Sequence, residues 1–154
     1  MFNIALFQPE IPPNTGNLIR LCANTGFALH LIHPLGFELE EKKLRRAGLD
    51  YRELAVVHEH DDYASFINAL GPTRVFACTT KAENNYTAPS YQPGDTFLFG
   101  PETRGLPEDI LQAAPGEGKI RIPMLRQSRS INLANAVSII VFEAWRQNGF
   151  TGGT

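Results

Sequence analysis

The sequence has few cysteines, no long apolar run and no excess of positive charge. Its two cysteines, Cys22 and Cys78, form no CxxC pair and have no histidine at metal-ligand spacing. This argues against both a disulfide framework and a zinc site. No stretch approaches the roughly 20 apolar residues of a membrane-spanning helix, and the N-terminus has no basic signal segment. We therefore expect an unprocessed cytoplasmic protein that does not enter a membrane.

The charge and the size of the chain restrict its partners and its organisation. The formal net charge is -2, which excludes a uniformly cationic surface that binds nucleic acid through counterion release. An RNA site would have to be a local basic patch. With 154 residues, 43% of them hydrophobic, the sequence predicts one domain over residues 1–154 with a single sizeable core.

Apolar runs of strand length alternate with helical patterns along the chain. The runs lie at residues 2–7, 28–32, 54–57, 74–79, 96–99 and 119–122, and the helical patterns at 16–25, 40–47, 63–70, 107–114 and 131–148. This alternation predicts an α/β fold with a mostly parallel sheet and helices on both faces. Turn-forming residues without periodicity indicate a long surface loop over residues 81–95.

The first segment that could carry chemistry is PEIPPNTGNLIRLCANTG, residues 9–26. We expect Asn14 or Thr15 to cap the first helix and Gly26 to end it in a left-handed conformation. Arg20 then lies on its second turn. By itself, this segment is better explained as a capped helix with a solvated arginine than as a functional site.

The second segment is FLFGPETRGLP, residues 97–107. An apolar strand ends at Gly100, and the carboxyl ends of strands are where α/β sheets bind ligands. A tight connection between strand and helix accounts for Gly100 and Pro107. It does not account for Glu102 and Arg104 between them.

The third segment covers residues 120–147. A short strand leads into a polar loop and then into a long helix, for which Ser130 is the expected cap. The apolar face of this helix favours core or dimer packing over a cofactor contact. The loop and the helix start are dense in groups that could bind a ligand, namely Arg126, Ser128, Arg129, Ser130, Asn132 and Asn135.

Together, NTGNLIR, LFGPETRGLP and IPMLRQSRSINLANAVSIIVFEAWR resemble the three ordered motifs of SPOUT methyltransferases. With RLCANTGF, RRAGLDY and KIRIPM, the resemblance covers almost the whole chain and extends to the group that methylates the ribose 2′-hydroxyl of tRNA nucleotide 34. It implies a C-terminal trefoil knot, S-adenosylmethionine as cofactor, tRNA as substrate, and a homodimer whose active sites are completed across the interface.

The resemblance also implies roles for individual residues. It places the cofactor against Cys78, Thr79, Gly100, Glu102, Gly105, Ile122, Met124, Ser130 and Leu133. It gives catalysis to Arg20 of the partner subunit, with Asn14, Glu102, Ser130 and Asn132 framing the site. Because a guanidinium stays protonated in proteins, we expect Arg20 to stabilise the developing alkoxide and hold a phosphate, and the proton acceptor stays open. RNA contacts are expected from Arg45, Arg46, Arg126 and Arg129.

Several alternatives remain. Arg45 and Arg46 follow a run of glutamates, a pattern equally typical of a solvated helix face. The HxxH and HxH spacings of His30, His33, His58 and His60 favour surface or strand-edge histidines over a metal site. A nicotinamide-dependent oxidoreductase is disfavoured because no GxGxxG follows the first strand. Methylation of another tRNA or rRNA nucleotide and a non-catalytic RNA-binding module stay open.

Overall fold

The computed structural model describes residues 1–38, 55–114 and 118–154. Within these ranges the chain forms seven strands and four helices. The strands are β1 (Asn3–Phe7), β2 (Ala28–Ile32), β3 (Val57–His60), β4 (Val75–Cys78), β5 (Asn84–Asn85), β6 (Thr96–Phe99) and β7 (Lys119–Arg121). The helices are α1 (Pro12–Thr25), α2 (Tyr63–Leu70), α3 (Glu108–Ala113) and α4 (Leu133–Gln147).

The described strands form one sheet in the order β3-β2-β1-β6-β4-β7-β5. Each of its strand pairs is parallel, and the interior strand β1 pairs Asn3 with Ala28 on one side and with Thr96 on the other. All carboxyl ends therefore meet at one edge of the sheet. The predicted α/β fold with a parallel sheet is confirmed, while the trefoil knot stays a prediction.

The two faces of the sheet carry separate cores. Along β1, Ile4 and Leu6 pack with apolar residues of α1 and α4, whereas Ala5 and Phe7 pack with residues of α2 and α3. Successive side chains of a strand point to opposite faces, so a strand that is buried on both sides is apolar throughout. Helices lie on both faces, as predicted. Burying each large aliphatic side chain stabilises the fold by roughly 1.5–3 kcal/mol.

Three predicted boundaries are wrong at the edges of the sheet and at the first helix. The strand predicted at 54–57 lies at Val57–His60, where polar side chains at the sheet edge hide the strand pattern. The loop predicted over 81–95 contains the short strand Asn84–Asn85. Helix α1 begins at Pro12, four residues earlier than predicted, because proline needs no hydrogen-bond acceptor in the first turn. The helix predicted at 40–47 lies outside the described residues.

The predicted helix ends have mixed outcomes. Gly26 ends α1 with a φ of 75° and donates its amide to the Cys22 carbonyl, as expected. Neither Asn14 nor Thr15 caps α1, because the cap position is Ile11. In α4 the cap is Asn132, which accepts the Asn135 amide, and not Ser130.

None of the helices in the described ranges is both long and apolar enough to cross a membrane. The described residues also contain no group of three or more His, Cys, Asp or Glu side chains arranged to hold a metal ion. The histidines instead make an aromatic and hydrogen-bonded cluster at the edge formed by β2 and β3.

The centre of this cluster is His30. Its Nδ1 lies 2.9 Å from Nε2 of His60, its ring stacks on His58 at 4.9 Å between centroids, and Phe66 packs edge-on at 5.6 Å. Burial, and then the neighbouring charges of His58 and His60, lower the pKa of His30 to about 4. Burial also lowers the pKa of His60.

We predict that acidification destabilises the fold through this cluster. The unfolded chain protonates His30 near its ordinary pKa of 6.5, and the folded chain only near 4. The contribution of neutral His30 to the free energy of unfolding is thus fully present above pH 6.5. It is lost as the pH falls toward 4, and the loss is roughly 2 kcal/mol after allowance for solvent screening. Urea unfolding between pH 7 and 4 measures it. His30→Leu should flatten this slope and His33→Gln should not. An unchanged slope in His30→Leu would contradict the assignment.

Candidate functional site

A cavity of about 310 Å³ opens at the carboxyl edge of the sheet. It lies where β4, β6 and β7 end and α4 begins. All the residues that the resemblance implies for cofactor binding line it, namely Cys78, Thr79, Gly100, Glu102, Gly105, Ile122, Met124, Ser130 and Leu133. The structure thus brings together, in one place, residues from three separate segments of the sequence.

One wall of the cavity is a tight turn that follows β6. A Cβ atom on Gly100 would lie 2.2 Å from the Leu106 nitrogen, so that only glycine allows the chain to fold back there. Gly105 has a φ of +68° and donates its amide to the Pro101 carbonyl at 2.9 Å. Gly100 is therefore required by the turn itself, as the simpler explanation held, and the same turn gives the cavity a wall of main chain.

Glu102 connects this turn to the start of α1. Its carboxylate accepts the amide of Glu10 at 2.7 Å and the amide of Ile11 at 3.1 Å. Helix α1 has no side-chain cap of its own. Glu102, 91 residues from Ile11 in sequence, instead binds the two amides that precede the first helical residue. A negative charge is favourable there because the amides at a helix start carry partial positive charge.

Asn14 and Asn132 extend the contact to the third segment. The buried Asn14 donates from Nδ2 to Glu102 at 3.4 Å. Its Oδ1 accepts from Nδ2 of Asn132 at 3.1 Å, and Oδ1 of Asn132 in turn accepts the Asn135 amide at 3.3 Å. In both asparagine side chains the nitrogen donates and the oxygen accepts. Three of the predicted catalytic residues therefore form one hydrogen-bonded chain, and Ser130 lines the cavity beside it.

The arginines occupy different places. Arg20 is exposed on α1 and does not line the cavity of its own chain. Arg126 and Arg129 are exposed in the loop between β7 and α4. Arg45 and Arg46 lie outside the described residues.

The cysteines lack the environment of reactive thiols. Both are free, and burial raises the pKa of the Cys22 thiol to about 12. Burial also raises the pKa of the Cys78 thiol well above its ordinary value. Each is therefore protonated near neutral pH, and Cys78 offers the cavity a small apolar surface.

Sequence reasoning missed Glu10 and Thr103. Oε1 of Glu10 accepts the amide of Thr103 at 3.1 Å and its hydroxyl at 2.8 Å. The hydroxyl and the amide of Thr103 both lower the pKa of Glu10. No sequence spacing signals a contact between residues 93 positions apart. The only sign in the sequence was that residues 9–26 and residues 97–107, which were both expected at the site, each contain a glutamate.

Comparison with known proteins places this geometry among RNA methyltransferases. The sequence matches the SpoU rRNA Methylase family over residues 1–142. It is 62% identical over 152 residues to the tRNA (cytidine(34)-2'-O)-methyltransferase of Escherichia coli (strain K12), covering 99% of this chain and 97% of the relative.

Solved structures agree with the sequence match. A structure of a Bacillus anthracis protein has a TM-score of 0.93 at 40% identity, covering 99% of this chain and 98% of the other. A structure that concerns the 2-OH methylation of C/U34 on tRNA has a TM-score of 0.91 at 46% identity, covering 97% of each chain.

The family match includes the segments that build the cavity and the Glu102–Asn14–Asn132 contacts. The SPOUT resemblance drawn from the three motifs is confirmed. The chain belongs to the SpoU rRNA Methylase family.

Proposed function

We propose that this protein transfers a methyl group from S-adenosylmethionine to the ribose 2′-hydroxyl of nucleotide 34, a cytidine or a modified uridine, in the tRNA anticodon loop. The observation that carries the proposal is the cavity at the carboxyl edge of the sheet, joined to α1 through Glu102, Asn14 and Asn132. The name of the Escherichia coli relative, 62% identical along nearly the full chain, supports the same activity.

The cavity suits the cofactor in size and in chemistry. Its volume of about 310 Å³ is at the lower end of the range of small-molecule sites, roughly 300–1,000 Å³. Ile122 and Leu133 offer apolar surface to an adenine ring, whereas Thr79 and Ser130 offer hydroxyls. S-adenosylmethionine supplies a methyl group activated by a sulfonium. The cavity residues would bind it and hold it in one orientation.

The chain's own residues then position and stabilise the reacting oxygen. The attacking 2′-hydroxyl must lose its proton, and we assign Arg20 of the partner subunit to stabilise the resulting negative charge and to hold the adjacent phosphate. Ser130 and Asn132 frame the oxygen. Glu102 already accepts two main-chain amides and the Asn14 side chain, so its role is to fix the start of α1 against the cavity.

A homodimer would bring Arg20 to the neighbouring cavity. On α4, Ile139 is 36% exposed and Phe142 is 47% exposed, and such apolar side chains favour a covered face. Helix α4 packs beside α1, the helix that carries Arg20. We assign residues 1–154 to one small domain. A symmetric pair of such domains would offer enough surface to hold a tRNA.

Exposed arginines near the cavity would contact the RNA backbone. Arg126 and Arg129 lie in the loop that leads to α4, and we assign Arg45 and Arg46 the same role. The anticodon loop is single-stranded, so its riboses are reachable with little unstacking. A tRNA substrate also fits a cytoplasmic location.

Incubating the protein with methyl-labelled S-adenosylmethionine and total tRNA tests the proposal. We expect label on the ribose of nucleotide 34, mapped by nuclease digestion and mass spectrometry, and none with tRNA whose nucleotide 34 is already 2′-O-methylated. Label on a base or on another nucleotide would refute the assigned target. Stable tRNA binding without any methyl transfer would identify a binding module instead.

A further inference from the structure

Two acidic residues hold the segment before α1 and the cavity turn together from opposite sides. The main-chain amide of Glu10 donates to Glu102, while the side chain of Glu10 accepts both the amide and the hydroxyl of Thr103. Each segment therefore gives the other a carboxylate and a main-chain donor. We call these reciprocal hydrogen bonds between Glu10, Glu102 and Thr103 the Glu10 clasp.

The Glu10 side of the clasp is itself fixed by a second contact. The Gly36 amide donates to the Pro9 carbonyl at 2.9 Å. A Cβ atom on Gly36 would lie 2.9 Å from the Cα of Glu10, so the two main chains are in close contact. Glu10 is thus held between the Gly36 turn on one side and Thr103 on the other, and its carboxylate has a defined position.

The clasp acts on a wall of the cavity. Glu102, Thr103, Arg104 and Gly105 all line it, and Thr103 is otherwise exposed. The amides of Arg104 and Gly105 both turn back to Pro101, so the turn is internally closed, and besides the bonds of Glu102 one further contact from outside holds its tip. Glu10 provides that contact at the tip of the turn, although it does not line the cavity itself.

We propose that Glu10 is a positioning residue for the cofactor: by binding Thr103 it sets the wall of the cavity in the geometry that S-adenosylmethionine requires. The inference rests on the proposed function and deepens it. It assigns a role to a residue outside the three motifs, and it attributes that role to cofactor affinity and not to RNA affinity.

Calorimetric titration with S-adenosylhomocysteine tests the role directly, without turnover. Glu10→Ala should weaken binding by about 10-fold, the scale of lost hydrogen bonds to a charged acceptor. Glu10→Gln should recover most of the affinity, because both bonds from Thr103 go to a single oxygen that the amide keeps. Glu59→Ala removes an exposed glutamate on β3, the edge strand on the other side of the sheet from β4 and β7, and should bind as the parent protein does.

A double-mutant cycle identifies the partner. Thr103→Val removes only the hydroxyl bond and should weaken binding by a few-fold, Thr103→Ser should restore it, and adding Thr103→Val to Glu10→Ala should cost nothing further. If Glu10→Ala does not fold, the comparison of Thr103→Val with Thr103→Ser still tests whether cofactor affinity depends on the hydroxyl that binds Glu10.

Two results would overturn the inference. One is a folded Glu10→Ala that binds S-adenosylhomocysteine as the parent protein does. The other is a Glu10→Ala protein that loses cofactor affinity and tRNA affinity to the same extent and also has a lowered Tm, with no recovery in Glu10→Gln. That result would indicate general structural damage. Absence of S-adenosylhomocysteine binding in the parent protein would instead refute the proposed function.

Discussion

Replacing Gly100 with alanine is expected to abolish S-adenosylhomocysteine binding and to lower the free energy of unfolding by about 3 kcal/mol. The added methyl group would lie 2.2 Å from the Leu106 nitrogen and 2.3 Å from the Gly105 carbonyl carbon. Both are main-chain atoms, which cannot rotate away as a flexible side chain does. The turn would have to open, and the cavity wall would move with it. Urea unfolding and calorimetric titration measure the two losses.

Gly71→Ala is the matched control for this prediction. Gly71 has a φ of +71°, and a Cβ atom there would meet nothing within 4 Å, so the substitution introduces backbone strain without a clash. It should cost roughly 1–3 kcal/mol, because a φ of 71° with a ψ of -165° is a conformation that essentially only glycine adopts. Cofactor affinity should be unchanged, since Gly71 follows α2, away from the cavity. A Gly100→Ala protein that is as stable as Gly71→Ala and binds S-adenosylhomocysteine normally would show that the turn is not held as described.

The central strands could be predicted from sequence and the edge strands could not. β2 and β6 begin and end where predicted because each is buried along its whole length, and an uninterrupted apolar run marks such a strand. β3 reads VHEH and is only half-buried, because an edge strand has one neighbour and more contact with solvent. β5 has two asparagines, and its pairing with β7 depends on tertiary packing that no local pattern records.

The site, like the sheet, has features that a local segment predicts and others that depend on residues far apart in the sequence. The need for Gly100 could be expected from its local segment, whereas the involvement of Glu102 and Asn132 was implied by the SPOUT resemblance. The prediction that Asn14 caps α1 failed because the helix begins earlier, at Pro12, so that the cap position is Ile11. Asn14 is thereby left inside the helix to link Glu102 with Asn132. Contacts between distant residues arise only when the sheet brings the carboxyl ends of its strands together.

Arg20→Ala is expected to lower the rate of methyl transfer by roughly 100- to 1,000-fold, as for loss of a group that stabilises a developing oxyanion. Binding of S-adenosylhomocysteine should be unchanged, because we assign Arg20 to the reacting oxygen and the adjacent phosphate of the RNA and not to the cofactor. Single-turnover methylation and calorimetric titration separate the two effects. Arg121→Ala, a change at a half-buried arginine in β7, serves as a control for loss of one positive charge. Full methylation by Arg20→Ala would remove it from the mechanism.

Mixed dimers determine which subunit supplies Arg20. One subunit carries Arg20→Ala, and the other carries Ser130→Trp, which places a bulky ring at the cavity wall and should prevent cofactor binding. If Arg20 acts across the interface, the mixed dimer has one complete site, formed by the intact cavity of the first subunit and the intact arginine of the second. Co-purified mixed dimers should then recover about half of the activity of the unmutated dimer, while the two mutant homodimers stay at or near zero activity. If Arg20 acts within its own chain, neither site is complete, so an inactive mixed dimer would contradict the shared site without contradicting the role of Arg20.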